Sequence, residues 1–123
     1  MAAKRVLVIE DNEQNIYLTT FLLEKNGFQV VQARDGQQGL GLAASIVPDL
    51  ILLDIQLPVM DGHEVARRLK ADGRTAAIPV VAVTSYAMAG DREAILAADC
   101  EGYIEKPIDS ETFIDQIRPF FAH

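Results

Sequence analysis

The sequence predicts an α/β fold: a doubly wound, parallel sheet of five strands in the order 2-1-3-4-5, covered by helices on both faces. Its clearest feature is the run Leu50–Leu53, four apolar residues between Pro48-Asp49 and Asp54. A continuous apolar run bounded by turn signals is typical of a central parallel strand that is buried on both faces. Strand and helix patterns also alternate five times along the 123 residues, as in repeated β-α units.

The five strand predictions rest on short apolar runs, and Pro79 is compatible with a strand only near its start. The predicted strands are Arg5–Glu10, Phe28–Ala33, Leu50–Leu53, Ile78–Thr84 and Gly102–Lys106.

The helix predictions rest on apolar periodicity and on stop signals. Gly27 ends the first helix, Gly39 and Gly41 weaken the second, and Pro119 disturbs the last one near its end. The predicted helices are Asn12–Asn26, Gln37–Ile46, about Gly62–Ala71, Met88–Ala98 and a last helix capped by Asp109 or Ser110.

Composition limits the classes of function. The net charge is −7 and there is no cluster of basic residues, so we expect neither a nucleic-acid partner nor an anionic membrane surface. No apolar run approaches the length of a membrane span, and the single cysteine, Cys100, fits a reducing cytoplasm. We expect one domain over residues 1–123. Only Ala122 and His123 follow the last helix, so no output domain is expected.

Polar side chains stand at the carboxyl ends of four predicted strands: Glu10-Asp11, Asp54, Thr84 and Lys106. In the order 2-1-3-4-5 these ends meet at the edge where open α/β sheets bind their ligands. Three carboxylates without nearby His or Cys favour a hard cation, Mg²⁺ first and Mn²⁺ as the alternative. A carboxylate beside such a cation and a lysine can attack phosphorus and form an aspartyl-phosphate.

The chain resembles the receiver domains of bacterial two-component response regulators over essentially its whole length. It looks most like single-domain cell-cycle regulators of the DivK type, and receivers of hybrid histidine kinases share several of the same stretches. These stretches are VLVIEDNEQN (6–15), PDLILLDIQLPVMDG (48–62), IPVVAVTSYAMAGDRE (78–93) and CEGYIEKPI (100–108).

The resemblance implies a flavodoxin-like (βα)5 fold and a phosphorylation-activated switch. It makes Asp54 the acceptor of a phosphoryl group from a histidine kinase or a histidine phosphotransfer protein. The metal would be bound by Glu10, Asp11, Asp54 and the backbone carbonyl of Gln56. A downstream protein target would read the phosphorylated state, and the only enzymatic steps would be self-phosphorylation and autodephosphorylation.

The same resemblance assigns the remaining residues of the pocket. Thr84 and Tyr103 would form the switch pair, and Lys106 would contact the phosphoryl group, with a cis bond between Lys106 and Pro107. Gln56 and Tyr86 would tune the lifetime of the phosphate.

Two other classes of function fit less well. A phosphohydrolase of the haloacid-dehalogenase kind needs a second Asp two residues after its nucleophile, where this chain has Gln56. A flavodoxin-like mononucleotide binder needs hydroxyls and amides in its first loop, whereas Glu10–Glu13 would repel a phosphate.

The first helix carries more apolar residues than one core-facing stripe requires. Leu18, Phe21 and Leu22 form the predicted stripe, which leaves Ile16 and Leu23 on its flanks. We therefore predict that Ile16 and Leu23 dock the phosphodonor, the alternative being that Ile16 packs under a neighbouring loop.

Overall fold

The computed structural model describes residues 3–85, 93 and 100–121. The strands are β1 (Arg5–Ile9), β2 (Gln29–Ala33), β3 (Leu50–Asp54), β4 (Val80–Thr84) and β5 (Gly102–Glu105). The helices are α1 (Glu13–Lys25), α2 (Gly36–Ile46), α3 (Gly62–Ala71) and α4 (Phe113–Ile117), followed by a 3-10 turn, Arg118–Phe120. The helix predicted at Met88–Ala98 lies outside the described residues, except for Glu93.

The five strands form one parallel sheet in the order β2-β1-β3-β4-β5, which confirms the predicted fold. All residues of β3 are buried, as expected of a central strand. Alternate side chains enter the two layers of the core, because successive residues of a strand point to opposite faces. Leu7, Ile51 and Leu53 pack with α2 and α3 on one face. Leu50 and Leu52 pack with α1 and α4 on the other.

Polar side chains cap three helices at the edge of the sheet that carries the strand ends. Asn12, Asp35 and Asp61 each accept a hydrogen bond from a backbone N–H three residues later, at 3.0, 2.7 and 3.0 Å. Each cap pairs one of the N–H groups that a helix start leaves without a partner. These caps fix where the loops from β1, β2 and β3 enter their helices.

Several element boundaries differ from the sequence predictions by one residue, and two elements begin two or more residues later than predicted. Strand β4 begins at Val80, and Ile78 instead donates its N–H to the carbonyl of Thr75 at 3.0 Å. The last α-helix begins only at Phe113, because the carbonyl of Asp109 accepts from both Thr112 and Phe113 and closes a turn first.

The face that α1 buries also differs from the prediction. Ile16 is 3% exposed and Leu23 is fully buried, whereas Phe21, expected in the core, is 45% exposed. The buried row runs through Ile16, Thr19 and Leu22–Leu23, so a threonine replaces the aromatic ring on the sheet side. The prediction that Ile16 and Leu23 form an exposed docking spot is therefore wrong, since neither side chain reaches the surface.

Within the described ranges, no helix combines the length and the apolar character that crossing a membrane requires.

Candidate functional site

The predicted acidic residues converge at the carboxyl edge of the sheet. Strand β1 pairs with β3 so that Ile9 lies opposite Leu53, which brings the next residues, Glu10 and Asp54, side by side. One carboxylate oxygen from each of Glu10, Asp11 and Asp54 lies within 4.8 Å of the others. Glu10 and Asp54 are buried, while Asp11 is exposed at the mouth of the site.

Lys106 places one positive charge between the two buried carboxylates. Its ammonium nitrogen lies 2.9 Å from Oε1 of Glu10 and 3.3 Å from Oδ2 of Asp54. Its side chain is only 12% exposed, so both contacts are shielded from bulk water. Among the described residues, one cation faces three acids, which leaves an excess of negative charge that a metal ion would relieve.

Backbone N–H groups hold the second oxygen of each buried carboxylate. Oε2 of Glu10 accepts from the N–H groups of Asp11 and Asn12 at 3.1 and 3.2 Å. Oδ1 of Asp54 accepts from the N–H of Gln56 at 2.9 Å. Each carboxylate is thus fixed at one oxygen by its own loop and at the other by Lys106, so both are oriented before any ligand arrives.

The electrostatics of the cluster raise the pKa of Glu10 from 4.5 to about 7. Burial is the main cause, and the neighbouring Asp54 adds to it, while Lys106 acts in the opposite direction. Near neutral pH, Glu10 consequently sits close to the point where it gains or loses a proton.

The donor set fits a hard divalent cation. All three side chains offer carboxylate oxygen, and the cluster contains neither histidine nor cysteine. Oxygen-only ligands suit Mg²⁺ and Mn²⁺, whereas softer metals prefer nitrogen or sulfur. Gln56, predicted to add its backbone carbonyl, lies in the loop after β3, and its side-chain oxygen accepts from the N–H of Ser85 at 3.5 Å.

Thr84 and Tyr103 lie on neighbouring strands and share one face of the sheet. Tyr103 pairs with Ala82, and Thr84 follows two residues later on the same strand, so its side chain points to the same side. Thr84 is buried at the end of β4, and Tyr103 is partly buried against the core. Tyr86, predicted to tune phosphate lifetime, lies outside the described residues.

The segment after β5 carries Lys106 back to the acidic cluster. The N–H of Lys106 donates to the carbonyl of Thr84 at 2.8 Å, which ties the start of this segment to β4. The Lys106–Pro107 peptide bond is cis. The Lys106 ammonium contacts one carboxylate directly after β1 and one at the end of β3, although β4 separates its own strand from β3.

Gly62, predicted only as the approximate start of a helix, has a specific role at the site. A Cβ atom there would lie 2.5 Å from Cα of Ile55 and 2.7 Å from the carbonyl oxygen of Asp54. The N–H of Gly62 donates to the carbonyl of Ile55 at 3.0 Å. The absence of a side chain therefore lets α3 start directly against the loop that positions Asp54.

The chain matches the family model described as the response regulator receiver domain over residues 6–118. It is also 46% identical to the polar-differentiation response regulators DivK of Brucella anthropi and of Brucella ovis. Each of these alignments spans 119 residues and covers 97% of this chain and 97% of the relative.

Solved structures of other proteins are also similar to this chain. The receiver domain of the sensor histidine kinase PA1611 from Pseudomonas aeruginosa, whose structure has magnesium coordinated in the active site cleft, is 31% identical with a TM-score of 0.89. That match covers 97% of this chain and 98% of the other. The chemotaxis protein CheY4 of Vibrio cholerae has a TM-score of 0.93 at 23% identity, over 98% of this chain and 100% of that one, and shows the shared fold.

Proposed function

The chain belongs to the family of response regulator receiver domains, and on that premise we propose that it is a phosphorylation-controlled switch in which Asp54 accepts the phosphoryl group. The observation that carries the proposal is the position of Asp54, buried at the end of the central strand within reach of Lys106 and two further acids. A nucleophilic carboxylate needs its charge offset while it approaches an anionic phosphoryl group.

The chemistry is an in-line transfer from a phosphohistidine. A carboxylate oxygen of Asp54 forms a bond to phosphorus while the bond between phosphorus and the donor's imidazole nitrogen breaks, and the electron pair stays on that nitrogen. The Lys106 ammonium, 3.3 Å from Asp54, stabilises the negative charge of the transferring oxygens. Water attack on the acyl phosphate reverses the modification and returns inorganic phosphate.

Glu10, Asp11 and Asp54, with the backbone carbonyl of Gln56, are the groups that would hold Mg²⁺. When bound there, the ion would neutralise phosphoryl oxygens and offset the repulsion among the three carboxylates. Support comes from the oxygen-only donor set and from the magnesium in the cleft of the PA1611 receiver domain. Mn²⁺ suits the same ligands.

The phosphorylated state is relayed through Thr84 and Tyr103. A phosphoryl group on Asp54 adds acceptor oxygens to which the Thr84 hydroxyl can donate. That movement frees space on the shared face of β4 and β5, which the Tyr103 ring can enter. A change of charge in the pocket thereby alters the surface around β5, where a partner protein can read it.

We place this switch in the cytoplasm, between a histidine kinase or a histidine phosphotransfer protein and a downstream protein target. The relatives of the DivK type support this position in a relay, since the chain matches 97% of their length. The chain has a single cysteine, Cys100, which is buried, and this is consistent with a reducing compartment.

The test is labelling by acetyl phosphate in the presence of Mg²⁺, followed by intact mass and peptide mapping. The wild-type chain should gain one phosphoryl group on Asp54, whereas Asp54→Asn and wild type in EDTA should gain none. Asp61→Asn is the matched control, because Asp61 is an exposed N-cap of the same loop and Asn caps a helix equally well. Labelling that persists in Asp54→Asn would refute the proposal.

A further inference from the structure

Among the described residues, strand β2 pairs with β1 alone and therefore forms an edge of the sheet. The N–H of Gln29 and the carbonyl of Ala33 both bond towards β1. In a parallel ladder the backbone groups of alternate residues point to opposite sides, so those of Val30 and Gln32 point away from the sheet. Two N–H groups and two carbonyls are therefore presented outward at this edge.

This edge lacks the features with which proteins usually prevent pairing. The strand reads Gln-Val-Val-Gln-Ala, without a charge, a proline or a bulge. Charges flank it in compensating pairs: Glu13 with Arg34, which form an ion pair, and Glu24 beside Lys25. The exposed Asp35 follows Arg34, so these five side chains together carry a charge of −1, whereas the whole chain carries −7.

An apolar groove runs beside the same edge, on the α1 face. It measures about 580 Å³ and is lined by Tyr17, Thr20, Phe21, Glu24, Lys25 and Gln32. Tyr17 and Phe21 are 76% and 45% exposed. Gln32 donates from its amide nitrogen to the Thr20 hydroxyl at 2.9 Å, which fixes this flank of α1 above β2.

We propose that β2 pairs antiparallel with β2 of a second copy of this chain, about a two-fold axis at Val31. Val30 then faces Gln32 of the other copy on both sides of the axis. In each facing pair, the N–H of each residue donates to the carbonyl of the other. All four outward groups of each strand are therefore hydrogen-bonded. The two sheets become one continuous sheet of ten strands.

The position of helix α1 favours a second copy of the chain over a foreign extended peptide as the partner of β2. Helix α1 contacts both β1 and β2, and a helix centred between two strands that lie about 4.8 Å apart is about half a strand spacing inside the edge. Across the axis the two α1 helices would be separated by about two spacings, which matches the 8–10 Å of packed helices. The exposed Tyr17 and Phe21 would fill that contact, whereas a single added strand would leave both rings in water.

The direct test is disulfide trapping with oxidised glutathione on the full chain. Val31→Cys places the new thiol opposite its own copy, at a Cα separation that a disulfide can span. Gln29→Cys is the control, since two copies of residue 29 would lie about 13 Å apart along the strands. We expect cross-linked dimer from Val31→Cys and none from Gln29→Cys or from wild type, whose Cys100 is buried.

Sedimentation equilibrium of the unphosphorylated chain provides the second measurement. Gln32→Pro removes an N–H that the monomer does not use, and should weaken association at least roughly tenfold because each dimer loses two hydrogen bonds. Gln32→Ala loses the same side-chain bond to Thr20 but keeps the N–H, so it is the reference, and Gln32→Pro should associate at least roughly tenfold more weakly than Gln32→Ala. The proposal is overturned if wild type stays monomeric at millimolar concentration, or if Val31→Cys cross-links no faster than Gln29→Cys.

Discussion

The ammonium nitrogen of Lys106 lies 2.9 Å from Glu10, closer than its 3.3 Å approach to Asp54. In the metal-free site the lysine thus shares its charge between the predicted phosphoacceptor and a predicted metal ligand. This contact only partly offsets the burial of Glu10, whose pKa remains raised to about 7. The proton on Glu10 and a metal ion therefore compete for the same oxygens.

The first prediction concerns stability against pH without metal. Because the pKa of Glu10 is about 7 in the folded chain and 4.5 when unfolded, the folded state binds this proton more tightly. The free energy of unfolding should therefore fall by about 3 kcal/mol, through this group alone, as pH rises from 4.5 to 7. Glu10→Gln should remove that fall, as the difference between the two urea-unfolding series would show.

Glu24→Gln is the control for this comparison, since Glu24 is exposed on α1 and away from the cluster. It should keep the wild-type pH dependence. A Glu10→Gln variant whose stability still falls through the same pH range as wild type would contradict the assignment of the proton to Glu10.

The second prediction separates metal binding from folding. Asp11 is exposed and lies within 4.8 Å of the other two acids, so its charge adds repulsion while no metal is bound. Asp11→Asn should weaken Mg²⁺ binding roughly tenfold through loss of a charged ligand, yet leave metal-free stability unchanged or slightly higher. Calorimetric titration with Mg²⁺ and thermal melting in EDTA measure the two effects.

Asp35→Asn provides the matched variant for Asp11→Asn. Asp35 caps α2 and Asn is an equally good cap, so this change removes one exposed acid without altering the site. If both variants lost Mg²⁺ affinity equally, net charge and not ligation would explain the result.

The parts of this site that could be predicted from sequence are those fixed by local pattern. The apolar run before Asp54 marks the central strand, and parallel strands bring Glu10 and Lys106 to the same edge whatever the details of packing. The backbone bonds from Asp11 and Asn12 that orient Glu10 depend on the path of one loop, which no periodicity encodes.

Helix α1 shows why the rest could not be predicted. Apolar periodicity favoured Phe21 as a core residue, yet the sheet surface beneath the helix accepts the smaller Thr19 and leaves the ring outside. Which of two adjacent rows is buried depends on the shape of the facing strands, and that shape is a tertiary property. The same shift buried Ile16 and Leu23 and turned the aromatic face towards the β2 edge.

The third prediction tests the relay from Thr84 to Tyr103. Thr84→Ala should still accept a phosphoryl group from acetyl phosphate, because Asp54 and Lys106 are untouched. The side-chain NMR signals of Tyr103 should then no longer shift on phosphorylation, since the hydroxyl proposed to donate to the phosphoryl group is missing. Thr84→Ser retains the hydroxyl and should keep the shift. A full Tyr103 response in Thr84→Ala would show that the relay follows another route.

The last prediction uses two glycines in helices. Gly62→Ala would place a Cβ 2.5 Å from Cα of Ile55 and 2.7 Å from the carbonyl of Asp54, and backbone atoms cannot rotate away as a side chain can. The loop that holds Asp54 must then shift, at a cost of about 1–3 kcal/mol in unfolding free energy and with slower labelling by acetyl phosphate.

Gly41→Ala is the opposite case, because a Cβ on this residue of α2 meets nothing within 4 Å. It should raise stability by about 0.5–1 kcal/mol through the better helix propensity of alanine, and leave labelling unchanged. A lower unfolding free energy in Gly62→Ala together with a higher one in Gly41→Ala would show that steric contact, and not helix propensity, explains the effect at Gly62. Equal melting temperatures and equal labelling rates would instead mean that the β3–α3 loop tolerates a side chain at Gly62, and that close packing there does not position Asp54.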